Sequence, residues 1–550
     1  MDTISTSVVV VGGSLVGLSA AAFLAWQGVL TVVIEQHRGS SPHPRAMGYT
    51  PRTLELYDVV GLAGQIPPAP PNFRLRRRKV ESLAGRWLAE TDWTPERPSG
   101  KPADPSASRP AETRQPPADL RLAYSPHTGA AIAQDRLEPL LRDRARELGA
   151  DLRLGTELLS FTQDADGVTV HVRERATGHD YQVRAAYLIA ADGSRSAVRD
   201  ALGIGRSGRG HIRTVRSVLF RAPLEEYLAS GISQFEIEQP GFQAFLTTYN
   251  DSRWVLMFSD DVERSGDELR EAVFRAIGRT DLPVEILTTG RWELSALITD
   301  RFSSGRVFLA GDSAHTLPPT RGGFGANTGI QDAHNLAWKL ASVLSGASTP
   351  SLLDTYHAER HPVAWQRLLQ TFARPDYAAA GNGIADGVPV LDDAAMEFGQ
   401  LYRSASVIGA GDDLPPAARP DQWNGQPGTR APYIPLADGT STLDHLGRGW
   451  ALVADDDTWR EAARQASTTL GLAVTPLRIG AELPTDDATR LRAAFGLQPG
   501  GASLVRPDGV VAWRAETRPE DAATGLTEAL AQVACANLPY PLPDAAGRGV

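Results

Sequence analysis

VVVVGGSLVGLSAAAFLAWQGVLTVVIE, residues 8–35, decides the fold of this chain. Val8–Val11 is a β-branched run, Gly12-Gly13-Ser14-Leu15-Val16-Gly17 is a glycine-rich turn, and Leu18–Gln27 has helix-forming composition. After Gly28 a second strand, Leu30–Ile34, ends at Glu35, 18 residues beyond Gly17. Strand, glycine turn, helix, strand and terminal acid form the unit that binds an ADP moiety. Gly12 permits the tight turn, Gly17 lets helix approach strand, and the helix N-terminus faces a pyrophosphate. Glu35 can accept both ribose hydroxyls. Ser14 stands where the pattern has its middle glycine, and the unit by itself suits a flavin or a nicotinamide dinucleotide equally.

A second stretch, RVFLAGDSAHTLPPTRGGFGANTGIQDAHNLAWKL (306–340), narrows the choice. Val307–Ala310 reads as a buried strand that stops at Gly311-Asp312 and leaves a carboxylate at its C-terminal end. Pro318 and Pro319 predict an extended loop, Gly322, Gly323 and Gly325 allow close approach of a ligand, and Asn327-Thr328 predicts a helix N-cap. A third stretch, AAYLIAADGSRSAVR (185–199), is a strand that delivers Asp192-Gly193 before a helix.

These three segments, in their order along the chain and their spacing, resemble the fingerprints of the single-component FAD-dependent aromatic hydroxylases. The resemblance extends over most of the first 370 residues and implies non-covalent FAD with NAD(P)H as a transient reductant. It assigns cofactor binding to Gly12, Ser14, Gly17, Glu35, Gln36, Asp192, Gly311, Asp312, Pro319, Gly325, Ala326 and Asn327. Asp312 would hold the ribitol chain, and the loop from Pro319 to Asn327 would lie along the pyrimidine side of the flavin. That loop is one residue longer than the commonest family spacing. In HRGSSPHPRAMGYTPRTLELYDVVGL, from His37, Arg45 takes the place of an arginine that reaches the flavin phosphates. Gln134, before a helix with apolar positions Leu137, Leu140, Leu141, Ala145 and Leu148, matches a flavin-contacting glutamine. Leu158 matches a backbone contact to adenine. His315 reads as a packed motif residue rather than a base.

Between Gly203 and Trp292 alternating stretches such as VRSVLFRA and SRWVLMFSD predict an antiparallel sheet. In the family such a sheet walls the substrate pocket. No second strand-GxGxxG-helix unit occurs, so the nicotinamide has no Rossmann domain of its own. Thr94–Pro117, rich in Pro, Arg and Ser, is expected to be a poorly ordered lid, and RLRRRK (74–79) a solvated face, with contact to an NADPH phosphate as its alternative. After a Pro/Gly-rich link, Asp412–Pro435, the last segment resembles the thioredoxin-like domain of larger aromatic hydroxylases. It lacks C-x-x-C, so thiol redox chemistry is excluded and a structural or dimerising role is left. LYRSASVIG and LVRPDGVVAWR most resemble hydroxylases that tailor aromatic polyketides.

Composition sets outer bounds. A chain of 550 residues exceeds one core and predicts about three domains. A net charge of −10 argues against nucleic acid as main partner. One cysteine, Cys535, fits a reducing compartment, and no apolar run approaches the roughly 20 residues of a membrane helix. The expectation is a soluble cytoplasmic enzyme, monomer or homodimer, of α/β class. Its FAD-binding Rossmann-like domain would be discontinuous (1–66, 121–204 and 292–380). The substrate domain with its lid would take 67–120 and 205–291, a helical segment and linker 381–435, and the thioredoxin-like domain 436–550.

The implied reaction is hydroxylation of a polycyclic aromatic polyketide by O2 through a flavin C4a-hydroperoxide. Baeyer–Villiger or ring-rearranging oxygenation is the alternative within the fold, and a flavin-binding protein without oxygenase activity the alternative of another class. No metal constellation is found, and no catalytic side chain is singled out. Arg374, Tyr402 and Arg403 are equal candidates to stabilise a substrate phenolate.

Overall fold

The structure is a computed structural model and describes residues 2–69, 76–91, 123–319, 324–483 and 488–538. The expected lid, Thr94–Pro117, and loop glycines Gly322 and Gly323 lie outside the described residues.

The first sheet is built on the strand Thr3–Val11, whose last four residues are fully covered. It pairs in parallel with His179–Ala190 on one side and Thr31–Glu35 on the other, and Val307–Leu309 and Asp151–Leu154 continue the parallel array outward. Strands buried on both faces must be apolar throughout, and Val8, Val9, Val10, Leu188, Ile189 and Leu309 are all shielded from solvent. A meander of Thr156–Gln163 and Val168–Glu174 extends His179–Ala190. Helices Leu15–Trp26 and Phe324–Leu344 pack together over this sheet. Two boundaries differ from expectation. The first helix begins at Leu15 rather than Leu18, with Ser14 in extended N-cap geometry, so Gly17 lies within the helix. The long helix is already formed at Phe324, so Asn327 sits inside its first turn rather than at its cap.

The second sheet is antiparallel but for one pair. Its order runs His315–Thr316, Glu285–Thr299, Arg206–Arg221, Arg253–Phe258, Phe242–Thr248, Gln234–Gln239, Arg77–Val80, Trp87–Thr91. Glu285–Thr299 passes unbroken through the boundary expected at 291/292 and delivers the sheet to the strand after Gly311-Asp312. The helix Gly266–Ile277 covers one face through Val273 and Ile277 against Val218, Phe220, Leu246 and Trp254. It starts with a Ser265/Glu268 capping box and stops at Gly278 in the left-handed region. The other face meets Ala133 and Met47 of the first domain with Leu219, Tyr249, Val255, Met257 and Leu287.

Trp450–Ala454, Val474–Arg478, Ala502–Val505 and Val511–Ala515 form the third sheet. The two inner strands are Trp450–Ala454 and Ala502–Val505, and Trp450–Ala454 pairs in parallel only with Val474–Arg478. With helices Thr458–Leu470, Ala488–Phe495 and Ala522–Val533 this is thioredoxin-like topology. Ala431 and Ile434, inside the stretch read as a linker, are buried in its core.

Candidate functional site: a dinucleotide cleft closed by three fingerprints

Steric contacts show why glycine is required where the segments meet. A Cβ on Gly12, whose φ is +105°, would stand 2.2 Å from the carbonyl oxygen of Ala191, and one on Gly17 would stand 1.8 Å from that of Gly12. The first turn is thereby pressed onto Ala191-Asp192, and the helix onto the turn. Val16, one residue earlier, is the matching knob. A Cβ on Gly311 would come within 2.8 Å of the Val16 side chain, and one on Gly329 within 2.6 Å. Two glycines separated by 18 residues thus form a seat for one valine, which joins the first and second fingerprints.

Polar contacts complete the arrangement. Glu35 accepts the Gly13 amide at 2.7 Å and the His37 amide at 2.7 Å. Gln134 is the hinge of the cleft: its Oε1 accepts the amides of Arg45 and Ala46, each at 3.3 Å, while its Nε2 donates to Ser14 Oγ at 2.9 Å and Glu138 at 2.8 Å. Ser14 Oγ donates to Glu138 at 2.6 Å instead of capping its own helix. The first-turn amides of Leu15–Trp26 therefore have no side-chain acceptor, which is the condition for anion binding at a helix N-terminus. Tyr249 Oη donates to Pro44 at 2.6 Å, and His43 Nε2 pairs with Ser217 Oγ at 2.9 Å, so the 43–47 segment is tied to the second sheet.

Two carboxylates face the cleft with unmet acceptors. Asp192 receives the Val198 amide on one oxygen, but Oδ1 is buried without a partner among the described residues. Burial raises its pKa, against hydrogen bonds from Ser196 and Val198. Asp312 is open to solvent, yet protein crowds it on all sides, as at the floor of a cleft. That crowding raises its pKa while His315 and Arg45 pull it down, and no hydrogen bond reaches it from the described residues. The exposed Arg45 is near enough to be felt there.

The remaining expected residues divide. Pro319, Gly325 and Ala326 flank residues 320–323. The Asn327 side chain is turned to protein: Oδ1 accepts the Thr50 amide at 3.1 Å and Thr53 Oγ1 at 2.6 Å, and Nδ2 donates to the Gly48 carbonyl at 3.2 Å. Gln36 faces outward and accepts from Arg175 at 2.9 Å. Leu158 lies opposite Val172 in the meander, which the Gly155 amide ties to the His37 carbonyl. Of the candidate phenolate partners, Tyr402 takes its bond from Arg360 at 2.7 Å, Arg403 donates to the carbonyls of Gly411 and Leu414, and Arg374 binds Asp393 at 2.8 Å. Arg76, Arg77 and Lys79 of the basic run are ion-paired to Glu90, Glu236 and Glu238.

Sequence reading missed Glu138 and the group behind the second turn. Asp332 accepts from the Gly311 amide at 3.2 Å, His315 Nε2 at 2.6 Å and Arg360 Nε at 2.8 Å, all three side chains fully buried.

An uncapped helix N-terminus, a strand-end acid for ribose, and two under-used carboxylates fit a dinucleotide bearing a polyhydroxylated chain. Among the described residues no cluster of ligand side chains could hold a metal ion, and no helix is long and apolar enough to cross a membrane. The site and the fold around it define a flavin-dependent oxidoreductase.

Comparison with known proteins makes the assignment specific. Residues 5–371 match the family model described as FAD binding domain, and residues 424–536 the one described as aromatic-ring hydroxylase, C-terminal. The chain is 40% identical over 562 residues to a tetracenomycin B2 monooxygenase-dioxygenase of Streptomyces olivaceus, covering 97% of this chain and 99% of that one. It is 39% identical over 563 residues to a 4-methyl-5-nitrocatechol 5-monooxygenase of a Burkholderia species, covering 97% and 98%. Among solved structures, aklavinone-11 hydroxylase with FAD and aklavinone superposes with a TM-score of 0.84 at 34% identity, covering 97% of this chain and 100% of that one. The chain belongs to the FAD-dependent aromatic-ring hydroxylases and is a flavoprotein monooxygenase; NAD(P)H is the family's usual reductant. The reading as a flavin-binding protein without oxygenase activity is thereby set aside.

Proposed function

We propose that this monooxygenase hydroxylates a polycyclic aromatic polyketide, converting Ar–H, O2, NAD(P)H and H+ to Ar–OH, H2O and NAD(P)+. The observation that carries the reading is the inner face of the second sheet. Leu219, Tyr249 and Val255 are buried against Ala133, and the partly exposed Met47, Met257 and Leu287 edge this apolar cluster, next to Arg45 and Gln134 of the cofactor cleft. A broad apolar surface with methionines adapts to a flat multi-ring ligand. Support also comes from relatives whose names specify tetracenomycin and aklavinone.

Bound FAD supplies hydride acceptance from NAD(P)H and activation of O2. The protein supplies position. Glu35 and the first-turn amides of Leu15–Trp26 would hold the ADP half, and Asp192 and Asp312 would accept from the hydroxylated chain. Gln134 locks the Arg45 segment against the Ser14 turn. The apolar cluster excludes water and presents the ring edge.

A single-ring catechol is the second reading, favoured by the nitrocatechol monooxygenase at 39% identity. One experiment separates them. NAD(P)H oxidation should be slow alone and at least tenfold faster with a polycyclic phenol, a barrier change of about 1.4 kcal/mol or more. One atom of 18O2 should enter a new hydroxyl ortho or para to an existing one. Stimulation by methylnitrocatechol alone would move the assignment to single rings. Label inserted within a ring would replace hydroxylation by Baeyer–Villiger oxygenation.

A further inference from the structure

Behind the Gly311-Asp312 turn lies a run of buried charges that ends in the C-terminal domain. Arg506, from the thioredoxin-like domain, donates two bonds to Glu359, NH1 at 2.5 Å and NH2 at 3.0 Å, and is held by Asp508 through Nε at 3.0 Å. Lys339 Nζ reaches Glu359 at 2.8 Å, and Ser404 Oγ reaches it at 2.7 Å. Arg360, the next residue on the same helix, donates to Asp332 at 2.8 Å and to Tyr402 Oη at 2.7 Å. The Tyr402 ring stands near both guanidiniums, 5.8 Å from Arg360 and 5.8 Å from Arg506. Asp332 accepts the Gly311 amide.

Three cations, Lys339, Arg360 and Arg506, thus face three carboxylates, Asp332, Glu359 and Asp508, all buried. Desolvating six charges is costly, and simple adhesion between domains is achieved more cheaply by apolar contact. What the network provides is fixed geometry, because each bond has one arrangement that satisfies both partners. Its terminus fixes the amide beside the acid that receives the ribitol chain.

We infer that Arg506 is a positioning residue for FAD: the C-terminal domain sets the Gly311-Asp312 turn through Glu359, Tyr402, Arg360 and Asp332. This gives a domain that lacks a C-x-x-C pair a task in cofactor holding, and it rests on the assignment of Gly311-Asp312 to the flavin. The test is a double-mutant cycle on the full-length apoprotein, read as FAD dissociation constant by flavin fluorescence and as the visible circular dichroism of bound flavin. Arg506→Lys keeps the charge but loses the bidentate geometry, and it should weaken FAD about fivefold and change the dichroic band. Asp332→Asn should weaken it about tenfold. Together they should weaken it far less than the product, because the second change acts on a chain already broken. Asp508→Asn, nearly isosteric, replaces Arg506→Lys if that variant does not fold. A lock that only joins domains would lower the melting temperature and leave affinity and dichroism within twofold of wild type, and this outcome overturns the proposal. So does an effect of the double variant equal to the product of the two. If Asp312→Ala leaves FAD affinity unchanged, the assignment of the turn fails; if it weakens FAD while Arg506→Lys does not, only the relay fails.

Discussion

Asp312 and Asp332 lie twenty residues apart in one continuous segment, the first open to solvent and the second fully buried, and their environments act on them in opposite directions. Asp332 takes three donors, one of them the Arg360 guanidinium; burial alone would raise its pKa, but His315 and Arg360 hold it down to about 2. Asp312 takes no donor from the described residues, and crowding raises its pKa. The difference separates an acid that the fold uses from an acid that the fold keeps available. A carboxylate left without a protein donor in the apoprotein is free to accept from a ligand's hydroxyls.

The largest expected effect is at Asp332. Asp332→Ala strands the Arg360 guanidinium and the His315 imidazole in a dry interior, and loss of one buried partner costs about 3–5 kcal/mol. Urea unfolding of the apoprotein should show it. The pH dependence carries the same sign: a folded pKa of about 2, against 3.8 for an ordinary aspartate, means stability present above about pH 4 and lost as pH falls toward 2. Wild type should therefore lose about 2 kcal/mol more than Asp332→Ala across that window. Equal acid sensitivity in the two proteins would break the contrast.

The next effect is at Asp312 and should be confined to binding. Asp312→Ala removes charge-assisted bonds to the cofactor worth about 1.5–3 kcal/mol, so FAD affinity should fall about 10- to 150-fold. Stability of the apoprotein should not fall. A raised carboxyl pKa means that ionisation opposes folding at neutral pH, so the variant should match or exceed wild type at pH 7, with the gain vanishing below the ordinary carboxylate range. A destabilised apoprotein with undiminished FAD affinity would assign Asp312 to the fold.

Much of this contrast could be read before any coordinates, and part could not. Gly12, Gly17, Glu35, Gly311 and Asp312 belong to short segments in which chemistry and local backbone coincide, so residue type announces position. The antiparallel sheet was likewise visible in local alternation, and the thioredoxin-like domain through its resemblance to larger aromatic hydroxylases. The first helix start was misplaced because the glycine turn was read through Gly17, and the second because Asn327 bonds Thr50 and Thr53 instead of capping its helix. Tyr402 and Arg403 were candidates because their side chains can stabilise a phenolate, and their partners, Arg360 and the carbonyls of Gly411 and Leu414, are settled only by tertiary packing. The buried charges of Lys339, Glu359 and Arg506 span 167 positions of the chain, and no spacing rule connects them.

Glu35 stands between the two aspartates and supplies the smallest test. Its oxygens are already used, by the Gly13 amide on one and by the His37 amide and ring on the other, but the carboxylate remains partly open to solvent at the end of its strand. A ribose can bind there by sharing these oxygens rather than by filling an empty position. In Glu35→Gln one of the two backbone amides would face an NH2 group instead of an acceptor, so apoprotein stability should fall slightly. The cofactor loses about one net hydrogen bond, or about 0.5–1.5 kcal/mol, which is roughly a two- to twelvefold loss of FAD affinity. Both quantities should therefore move, each by less than at the aspartates. An affinity loss as large as that of Asp312→Ala with no change in stability would place Glu35 with the acids kept for ligand. Unchanged affinity with reduced stability would make it a brace for the Gly13 turn and leave the ribose to another partner.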